Sequence, residues 1–255
     1  MILTRPSKNW DGRVASAELL ARSDGFCRLR ERILDLADVA PAHAVVDLGS
    51  GTGLLTLAFA ARARRVWAID SSSAMGEYLR VKAASADLDN VEIATASAVS
   101  LPLVDAIADV VVSNYCMHEL RDADKLRALA EAKRVLKPGG RLVIGDMMFS
   151  LRAQDARDRR VLVDKLRLLA GRGAPGLWRV AKNAARLATG RWEHPAGAEW
   201  WREAVAQVGF EQTELELLEH EGGIVAARAP ESSGRETASR AAGALSSELV
   251  SCSPV

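Results

Sequence analysis

The sequence of 255 residues is poor in cysteine and has no long apolar runs. Its three cysteines, Cys27, Cys116 and Cys252, are odd in number and widely spaced, which favours neither a disulfide framework nor a zinc ligand set. No stretch of 18 apolar residues occurs, and the first residues lack the apolar core of a signal peptide. We therefore expect a cytoplasmic protein with no metal ligands and no membrane partner.

The sequence also has little excess charge of either sign. The formal net charge is +1, with 49% hydrophobic and 26% charged residues, as in ordinary globular proteins. A nearly neutral chain gives no overall argument for binding nucleic acid, so the expected partner is a small molecule. The oligomeric state cannot be predicted from these values.

Short apolar runs alternate with segments of helical periodicity along the first 150 residues. Alternation of this kind predicts a mostly parallel sheet with helices on both faces. The predicted strands are residues 44–48, 66–69, 91–95, 109–113 and 141–145, and the predicted helices are 15–39, 54–64, 74–86 and 122–137, the last ending at Pro138-Gly139-Gly140. Near the C-terminus, alternating residues 212–217 and the run 224–227 predict a hairpin that adds an antiparallel strand.

A glycine-rich loop, Asp47-Leu48-Gly49-Ser50-Gly51-Thr52-Gly53, joins the first predicted strand to the helix that follows. Glycines permit turns closed to other residues, and free N–H groups at a helix start point into the same space. A dinucleotide fingerprint requires glycine where Leu54 stands, so the spacing disfavours NAD. Asp47 suits a ligand that carries an amine or sulfonium. Asp70, at the end of the second strand, can bind both hydroxyls of a ribose, or it can simply cap the next helix.

The loop resembles motif I of the class I S-adenosylmethionine (SAM)-dependent methyltransferases, in their UbiE-like, small-molecule branch. Three later segments also resemble motifs of this family in order and spacing: Leu101-Pro102, residues 109–120 and residues 135–142. The resemblance covers about residues 40–148. It implies an α/β, Rossmann-like, seven-stranded and mostly parallel sheet with helices on both faces, an antiparallel last strand and a helical insertion. SAM is the implied cofactor.

The resemblance also implies a set of cofactor-binding residues. Gly49, Gly51 and Gly53 would contact the methionine portion of SAM, with Asp47 near its amino group, Asp70 on the ribose, Ser71 and Met75 beside ribose and adenine, and the backbone of Asn114 near the sulfonium. Many relatives carry Asp before Leu-Pro to receive the adenine amine. This sequence has Ser97 and Ala98 there, which puts that contact in doubt.

Methyl transfer from a sulfonium can be driven by positioning and exclusion of water, so a catalytic base is optional. His118, after the fourth strand, is the candidate base because a neutral imidazole is available near pH 7. Tyr115 and Glu119 are candidates for orienting the substrate. The alternative is that His118 is a partly buried residue that caps the loop. Cys116 has no basic neighbour in sequence and is interpreted as a core residue.

Residues 151–193 hold eleven Lys or Arg and are predicted to form two amphipathic helices that turn at residues 171–176 and act as a substrate lid. Arg179, Lys182 and Arg186 share a helical face that either binds an anionic acceptor or is simply solvated. Trp192, Trp200 and Trp201 either line an acceptor pocket or pack in the core. We expect residues 1–230 to form one methyltransferase domain and residues 231–255, with seven serines, to be a disordered tail.

The favoured function is transfer of the SAM methyl group to a small molecule, such as a metabolite or a quinone-like ring. A non-catalytic SAM-binding or protein-interaction module is the main alternative. A nucleic-acid methyltransferase is less favoured, because Asn114-Tyr115-Cys116-Met117 differs from the Asn-Pro-Pro-Tyr signature of amino-methylating enzymes. A nicotinamide dehydrogenase is the least favoured, because of Leu54.

Overall fold

The computed structural model describes residues 9–150, 156–171, 173–188 and 193–231. The strands are β1 Ala44–Leu48, β2 Arg65–Asp70, β3 Val91–Thr95, β4 Ala108–Asn114, β5 Leu136–Met147, β6 Glu211–Leu217 and β7 Gly222–Arg228. The helices are α1 Val14–Ala21, α2 Asp24–Ala37, α3 Thr56–Ala60, α4 Ser73–Ser85, α5 Asp122–Val135, α6 Ala156–Ala170, α7 Ala174–Ala188 and α8 Ala198–Val208. Short 3-10 turns span Asp11–Arg13 and Met117–Glu119.

All seven strands form one sheet in the order β3-β2-β1-β4-β5-β7-β6. Strands β1 to β5 pair in parallel, and β7 pairs antiparallel with both β5 and β6. The α/β fold, the helical insertion and the reversed last strand predicted from the sequence are therefore confirmed. Because the carboxyl ends of the parallel strands meet at one edge, the loops that follow β1, β2 and β4 lie together there.

Two apolar layers sandwich the sheet, one on each face. Successive side chains of a strand point to opposite faces, so Val46 joins one layer while Val45 joins the other. The layer of Val46 includes Leu129 of α5 and Trp201 of α8, and the layer of Val45 includes Phe59 of α3. The strand ends that carry the candidate site are thus fixed by packing on both faces.

Three predicted boundaries are wrong. The single helix predicted over 15–39 is two helices, because Ser23 has an extended backbone (φ −73°, ψ 150°) and starts α2. The helix predicted over 54–64 is only Thr56–Ala60, since turns continue through Leu55. The helix predicted to end at Pro138-Gly139-Gly140 ends at Val135, because Leu136 is already extended and pairs with Ala108 of β4.

The insertion contains the two predicted helices, α6 and α7, and their turn is shorter than predicted because α7 starts at Ala174. Their role as a lid stays a prediction. The predicted tail lies outside the described residues from 232 onward. Within the described part of the chain, no helix combines the length and apolar character needed to cross a bilayer.

Candidate functional site

The glycine loop leaves the carboxyl end of β1 in a conformation that requires its glycines. Gly49, Gly51 and Gly53 have φ values of 72°, 51° and 91°, in the left-handed region that favours glycine. A Cβ atom on Gly49 would lie 2.3 Å from Cys116 Sγ, so this glycine is required by packing within the chain. A Cβ on Gly51 would meet only the carbonyl oxygen of Gly49, at 4.0 Å. Gly51 therefore faces space that a ligand can approach closely.

Asp70 connects the glycine loop to the start of α4. One of its carboxylate oxygens accepts a hydrogen bond from the Gly51 N–H and the other accepts one from the Ser72 N–H, both at 2.8 Å. Burial raises the pKa of Asp70, and the backbone N–H donors oppose that shift. The N-cap residue of α4 is Ser72, whose Oγ accepts from the Met75 N–H at 3.2 Å, and not Asp70. The Ser71 N–H also bonds this carboxylate, which has about four acceptor positions and so keeps capacity for a ligand hydroxyl.

Asp47 lies at the end of β1 and is 1% exposed. Its carboxylate accepts a 2.6 Å hydrogen bond from the Thr56 hydroxyl. Burial raises its pKa to about 7, the Thr56 hydrogen bond opposes the rise, and the charge of Asp70 adds to it. Two acidic side chains at neighbouring strand ends, both with raised pKa, are the environment that a cationic ligand group stabilises.

Two buried polar atoms beside the loop have no hydrogen-bond partner among the described residues. They are Ser50 Oγ, within the loop, and Asn114 Oδ1, at the end of β4. Buried polar groups in proteins are nearly always paired, so each such atom requires an explanation. A ligand that brings hydrogen-bond donors to this edge of the sheet would pair both.

The residues predicted to contact adenine lie around the carboxyl ends of β2 and β3. The Ala96 N–H donates to the Asp70 backbone carbonyl at 2.9 Å, which brings the loop after β3 next to β2. Met75 is 2% exposed, Ser71 is exposed, and Ala98 is half-buried. Ser97 is exposed and its hydroxyl accepts a hydrogen bond from the Val99 N–H at 3.4 Å. The binding roles given to these residues stay predictions.

His118 is held by an aspartate that the sequence analysis did not single out. His118 Nδ1 lies 2.6 Å from Asp146 Oδ1, and the His118 backbone N–H donates to Asp146 Oδ2 at 2.7 Å. Asp146 is fully buried at the carboxyl end of β5. The position of Asp146 after the apolar strand residues 142–145 is a sequence signal for this contact. The carboxyl ends of adjacent parallel strands lie together, so an acidic residue there is placed near the residues that follow β4.

The charge of His118 differs from the expectation of a neutral imidazole near pH 7. Burial disfavours the charged form, but Asp146 and Glu119 outweigh burial and raise the pKa of His118 to about 10. His118 is also buried, and its carbonyl accepts a 2.7 Å hydrogen bond from the His194 N–H. Near neutral pH the side chain is therefore a cation that can donate a hydrogen bond, which disfavours the predicted role as a base.

Tyr115 forms an aromatic wall with Phe26 of α2. The two rings stack with centroids 4.3 Å apart, and the ring of His118 meets Tyr115 edge-on at 6.1 Å. Tyr115 has a φ of 50°, which is unusual for a residue with a side chain. Burial raises the pKa of Tyr115 far above its ordinary value, and Glu221 and Asp146 add to the rise. The hydroxyl therefore stays neutral, while the ring offers a flat apolar surface.

Three further side chains, Glu119, Glu193 and Cys116, bear on the predictions that the protein uses no metal and that Cys116 is a core residue. Ligand-capable atoms of His118, Glu119 and Glu193 lie within 4.8 Å of one another, a set that could hold a metal ion. That the protein uses no metal stays a prediction. Burial, and then the surrounding carboxylates, raise the pKa of Cys116 well above its ordinary value, so the thiol stays protonated. This agrees with its interpretation as a packing residue.

The N-terminal segment, whose predicted helix over 15–39 suited a lid or an edge helix, approaches the cofactor end of the sheet. Asp11 Oδ1 accepts hydrogen bonds from the Ser72 hydroxyl at 2.6 Å and the Ala74 N–H at 3.3 Å. Glu18 of α1 pairs with Lys82 at 3.0 Å, and Lys82 also donates to the carbonyl of Thr52 in the glycine loop. Residues 11–18 therefore contact both the loop and the start of α4.

The tryptophans of α8 and the basic residues of the insertion differ in burial. Trp201 is 1% exposed and packs in the core, and Trp200 lies against the buried Lys125, whose Nζ is 5.2 Å from the ring centroid. Arg179 and Lys182 are exposed on α7. Trp192 and the side chain of Arg186 lie outside the described residues. The structure brings the predicted cofactor residues together and leaves the basic face of α7 in solvent.

Comparison with known proteins agrees with this geometry. Residues 45–140 match the model of a methyltransferase domain family. The chain is 38% identical over 136 residues to a 37.1 kDa protein of a Streptomyces fradiae transposon, covering 52% of this chain and 38% of that protein. It is 35% identical over 127 residues to the ubiquinone/menaquinone biosynthesis C-methyltransferase UbiE of Vibrio vulnificus, covering 48% of each. The matches thus span about half the length of these relatives or less.

Solved structures share the fold at low sequence identity. A SAM-dependent methyltransferase from Aquifex aeolicus superposes with a TM-score of 0.59 at 19% identity, covering 86% of this chain and 98% of that one. The 4+2 cyclase SpnF superposes with a TM-score of 0.65 at 18% identity, covering 88% and 94%. These likenesses concern the fold alone.

The fold and the site first define a SAM-binding α/β protein, with a glycine loop after β1 and an acidic residue at the end of β2. Residues 45–140 form a methyltransferase domain, and the fold is that of the class I SAM-dependent methyltransferases. The cofactor of this family is SAM, and the site fits it. Ser50 Oγ and Asn114 Oδ1 are buried and have no hydrogen-bond partner among the described residues. Gly51 leaves room for a ligand to approach the loop closely. The carboxylates of Asp47 and Asp70 favour a cationic ligand.

Proposed function

We propose that this protein transfers the methyl group of SAM to a small-molecule acceptor, at a carbon atom of a flat ring that carries an oxygen. The observation that supports the proposal most directly is the pair of unpartnered buried atoms, Ser50 Oγ and Asn114 Oδ1, beside the open side of Gly51. The name of the UbiE relative, a C-methyltransferase of ubiquinone and menaquinone biosynthesis, favours carbon as the acceptor atom.

On the cofactor side, the residues of the chain bind and orient. SAM supplies an electrophilic methyl group on a positively charged sulfur. Asp47 and Asp70 provide the negative potential that favours such a ligand, and Asp70 offers its remaining lone pairs to the ribose hydroxyls. The Asn114 side chain accepts a hydrogen bond from the amino group at the methionine end. Residues 11–18, packed on the loop, exclude water from this region.

On the acceptor side, the role that fits His118 is electrostatic. A ring carbon becomes nucleophilic when an oxygen on the ring is ionised, so the site must stabilise an oxygen anion. His118 is positively charged near neutral pH and its ring is oriented by Asp146. We propose that its Nε2–H, which faces Glu119 Oε1 at 3.6 Å in the free protein, donates to the acceptor oxygen when the acceptor binds. The ring of Tyr115, backed by Phe26, forms the flat surface against which the acceptor packs.

Two alternatives to methyl transfer to a small molecule are each favoured by a specific observation. The SpnF likeness shows that this fold is not restricted to methyl transfer, and Ser97 replaces the aspartate of many relatives, so a SAM-binding protein without methyl turnover is the second candidate. A nucleic-acid acceptor has only the basic insertion in its favour. We propose the cytoplasm as the compartment, because the three separated cysteines suit a reducing environment.

The experiment is calorimetric titration with S-adenosylhomocysteine of the wild type, Asp70→Ala and the control Asp89→Ala, which removes an exposed carboxylate elsewhere. We expect Asp70→Ala to weaken binding by about 1–3 kcal/mol, the value of charged hydrogen bonds, and Asp89→Ala to leave it unchanged. Binding of NAD instead would contradict the cofactor assignment.

Transfer of a labelled methyl group to the organic-solvent fraction of a cell extract then tests the acceptor class. Label in that fraction supports a small, ring-bearing acceptor. Label in the nucleic-acid fraction, or tight cofactor binding without label anywhere, would overturn the proposed acceptor.

A further inference from the structure

The α6–α7 hairpin concentrates the exposed apolar side chains of the molecule. Among the described residues, five of the ten large hydrophobic side chains that are exposed lie in these two helices: Val163, Leu166, Leu168, Leu177 and Trp178. Trp178 is 72% exposed and Leu177 is 58% exposed. Single exposed hydrophobics are normal on a protein surface, but the presence of half of them in one pair of helices favours an interaction site there.

The orientation of α7 shows that this apolar face is not the one used for packing within the chain. Gly176 is buried, and Val180 and Asn183 are half-buried, at the spacing of one helical face. Leu177 and Trp178 are larger and more apolar than these residues, yet they point to solvent. A helix that packs its small residues inward and exposes its large apolar ones has a second surface to cover.

Charge indicates what covers that surface. Residues 156–188 contain nine Lys or Arg and only two Asp, although the whole chain has a net charge of +1. Arg179 and Lys182 are exposed on α7 and flank Trp178. A basic helix with Leu and Trp on its apolar side is suited to lie in the interface of an anionic bilayer, where the indole and aliphatic groups enter the headgroup region. Nucleic acid would match the charge but not the exposed leucines.

We propose that the α6–α7 hairpin docks this protein on the surface of a membrane rich in anionic phospholipid. The contact needs no membrane-spanning helix, and it departs from the sequence-based expectation of no membrane partner. Leu177 and Trp178 enter the headgroup region, while Arg179 and Lys182 contact lipid phosphates. The hairpin follows β5, whose carboxyl end carries Asp146, so docking brings the bilayer to the side of the molecule where the insertion begins.

Co-sedimentation of the full chain with vesicles tests the proposal without cofactor or acceptor, so its result is independent of the proposed function. The two vesicle types are phosphatidylcholine alone and phosphatidylcholine mixed with phosphatidylglycerol. We expect binding to the mixed vesicles only, and its loss at high salt. The double variant Arg179→Gln/Lys182→Gln should bind about 25-fold more weakly, because each basic residue contributes roughly a fivefold change near an anionic surface.

A matched pair of apolar variants distinguishes docking through the hairpin from non-specific hydrophobic adsorption to vesicles. Leu177→Ser/Trp178→Ser should abolish vesicle binding, while Val81→Ser/Val104→Ser, which removes two valines exposed elsewhere, should leave it unchanged. Circular dichroism of each variant verifies that it is folded. Absence of binding to mixed vesicles overturns the proposal. So does tighter binding to double-stranded nucleic acid, or self-association of the wild type that Leu177→Ser/Trp178→Ser removes.

Discussion

The glycine-loop end of the sheet and the α6–α7 hairpin differ in which side chains they bury and which they expose. At the first, polar groups are buried: Asp47 is bonded to Thr56, and Ser50 Oγ is shut away from water. In the hairpin, apolar groups are exposed, with Trp178 at 72%. Both arrangements cost free energy in water. Each is therefore explained by something outside the chain, a ligand in one case and a surface in the other.

The comparison also explains why one region could be recognised and the other could not. The loop lies within residues 45–140, which match a methyltransferase domain, so its pattern of glycines and acidic residues is common to many sequences. The hairpin has no such shared motif, and its pattern of basic and apolar residues is compatible with several partners. Experiments that separate the two regions are the most informative ones.

The largest difference should appear between two glycines of the same loop. Gly49→Ala places a Cβ atom 2.3 Å from Cys116 Sγ at a φ of 72°, so we expect a loss of about 3 kcal/mol or more in the free energy of unfolding, measured with urea. Gly51→Ala meets open space and should cost about 1 kcal/mol from its positive φ, yet it should weaken S-adenosylhomocysteine binding. Equal destabilisation by the two changes would contradict the packing argument.

A smaller effect should come from the pair of His118 and Asp146. The folded pKa of His118, about 10, lies above its ordinary value of 6.5, so the stabilisation from this pair is complete below about pH 6.5 and is lost as the pH rises through 10. Asp146→Asn should lower the free energy of unfolding by about 1.5–3 kcal/mol near pH 6 and remove most of this pH dependence, while Glu119 keeps the rest. Urea titrations at several pH values check it, with the exposed-site variant Asp89→Asn as the control. An unchanged pH profile in Asp146→Asn would show that Asp146 does not hold the charge of His118.

The smallest effect is expected in the hairpin. Leu177→Ser/Trp178→Ser should change the free energy of unfolding by no more than about 0.5 kcal/mol, because both side chains are exposed in the free protein. S-adenosylhomocysteine affinity, measured by calorimetry, should stay at the wild-type value. A loss of stability of several kcal/mol would mean that these side chains pack within the chain, and the contrast between the two regions would fail.

Local patterns predicted the strands and the loop but not the contacts between distant segments. The bounds of β1 and β3 are those expected, because short apolar runs between turn residues specify a buried strand. The break before α2 was missed since Arg22 and Ser23 include neither glycine nor proline. His118 and Asp146 are 28 residues apart, and Asp11 and Ser72 are 61 apart, so only the fold brings each pair together.

The position of β7 in the sheet has a consequence for how the chain is made. Strand β7 is the last of the described strands to be synthesised, yet it lies between β5 and β6 and pairs with both. Until Gly222–Arg228 has left the ribosome, the outer edge of β5 has no strand to pair with, and β6 has none at all. Unpaired edges recruit strands from other chains, so a nascent or truncated chain that ends before residue 222 should aggregate far more readily than the finished one.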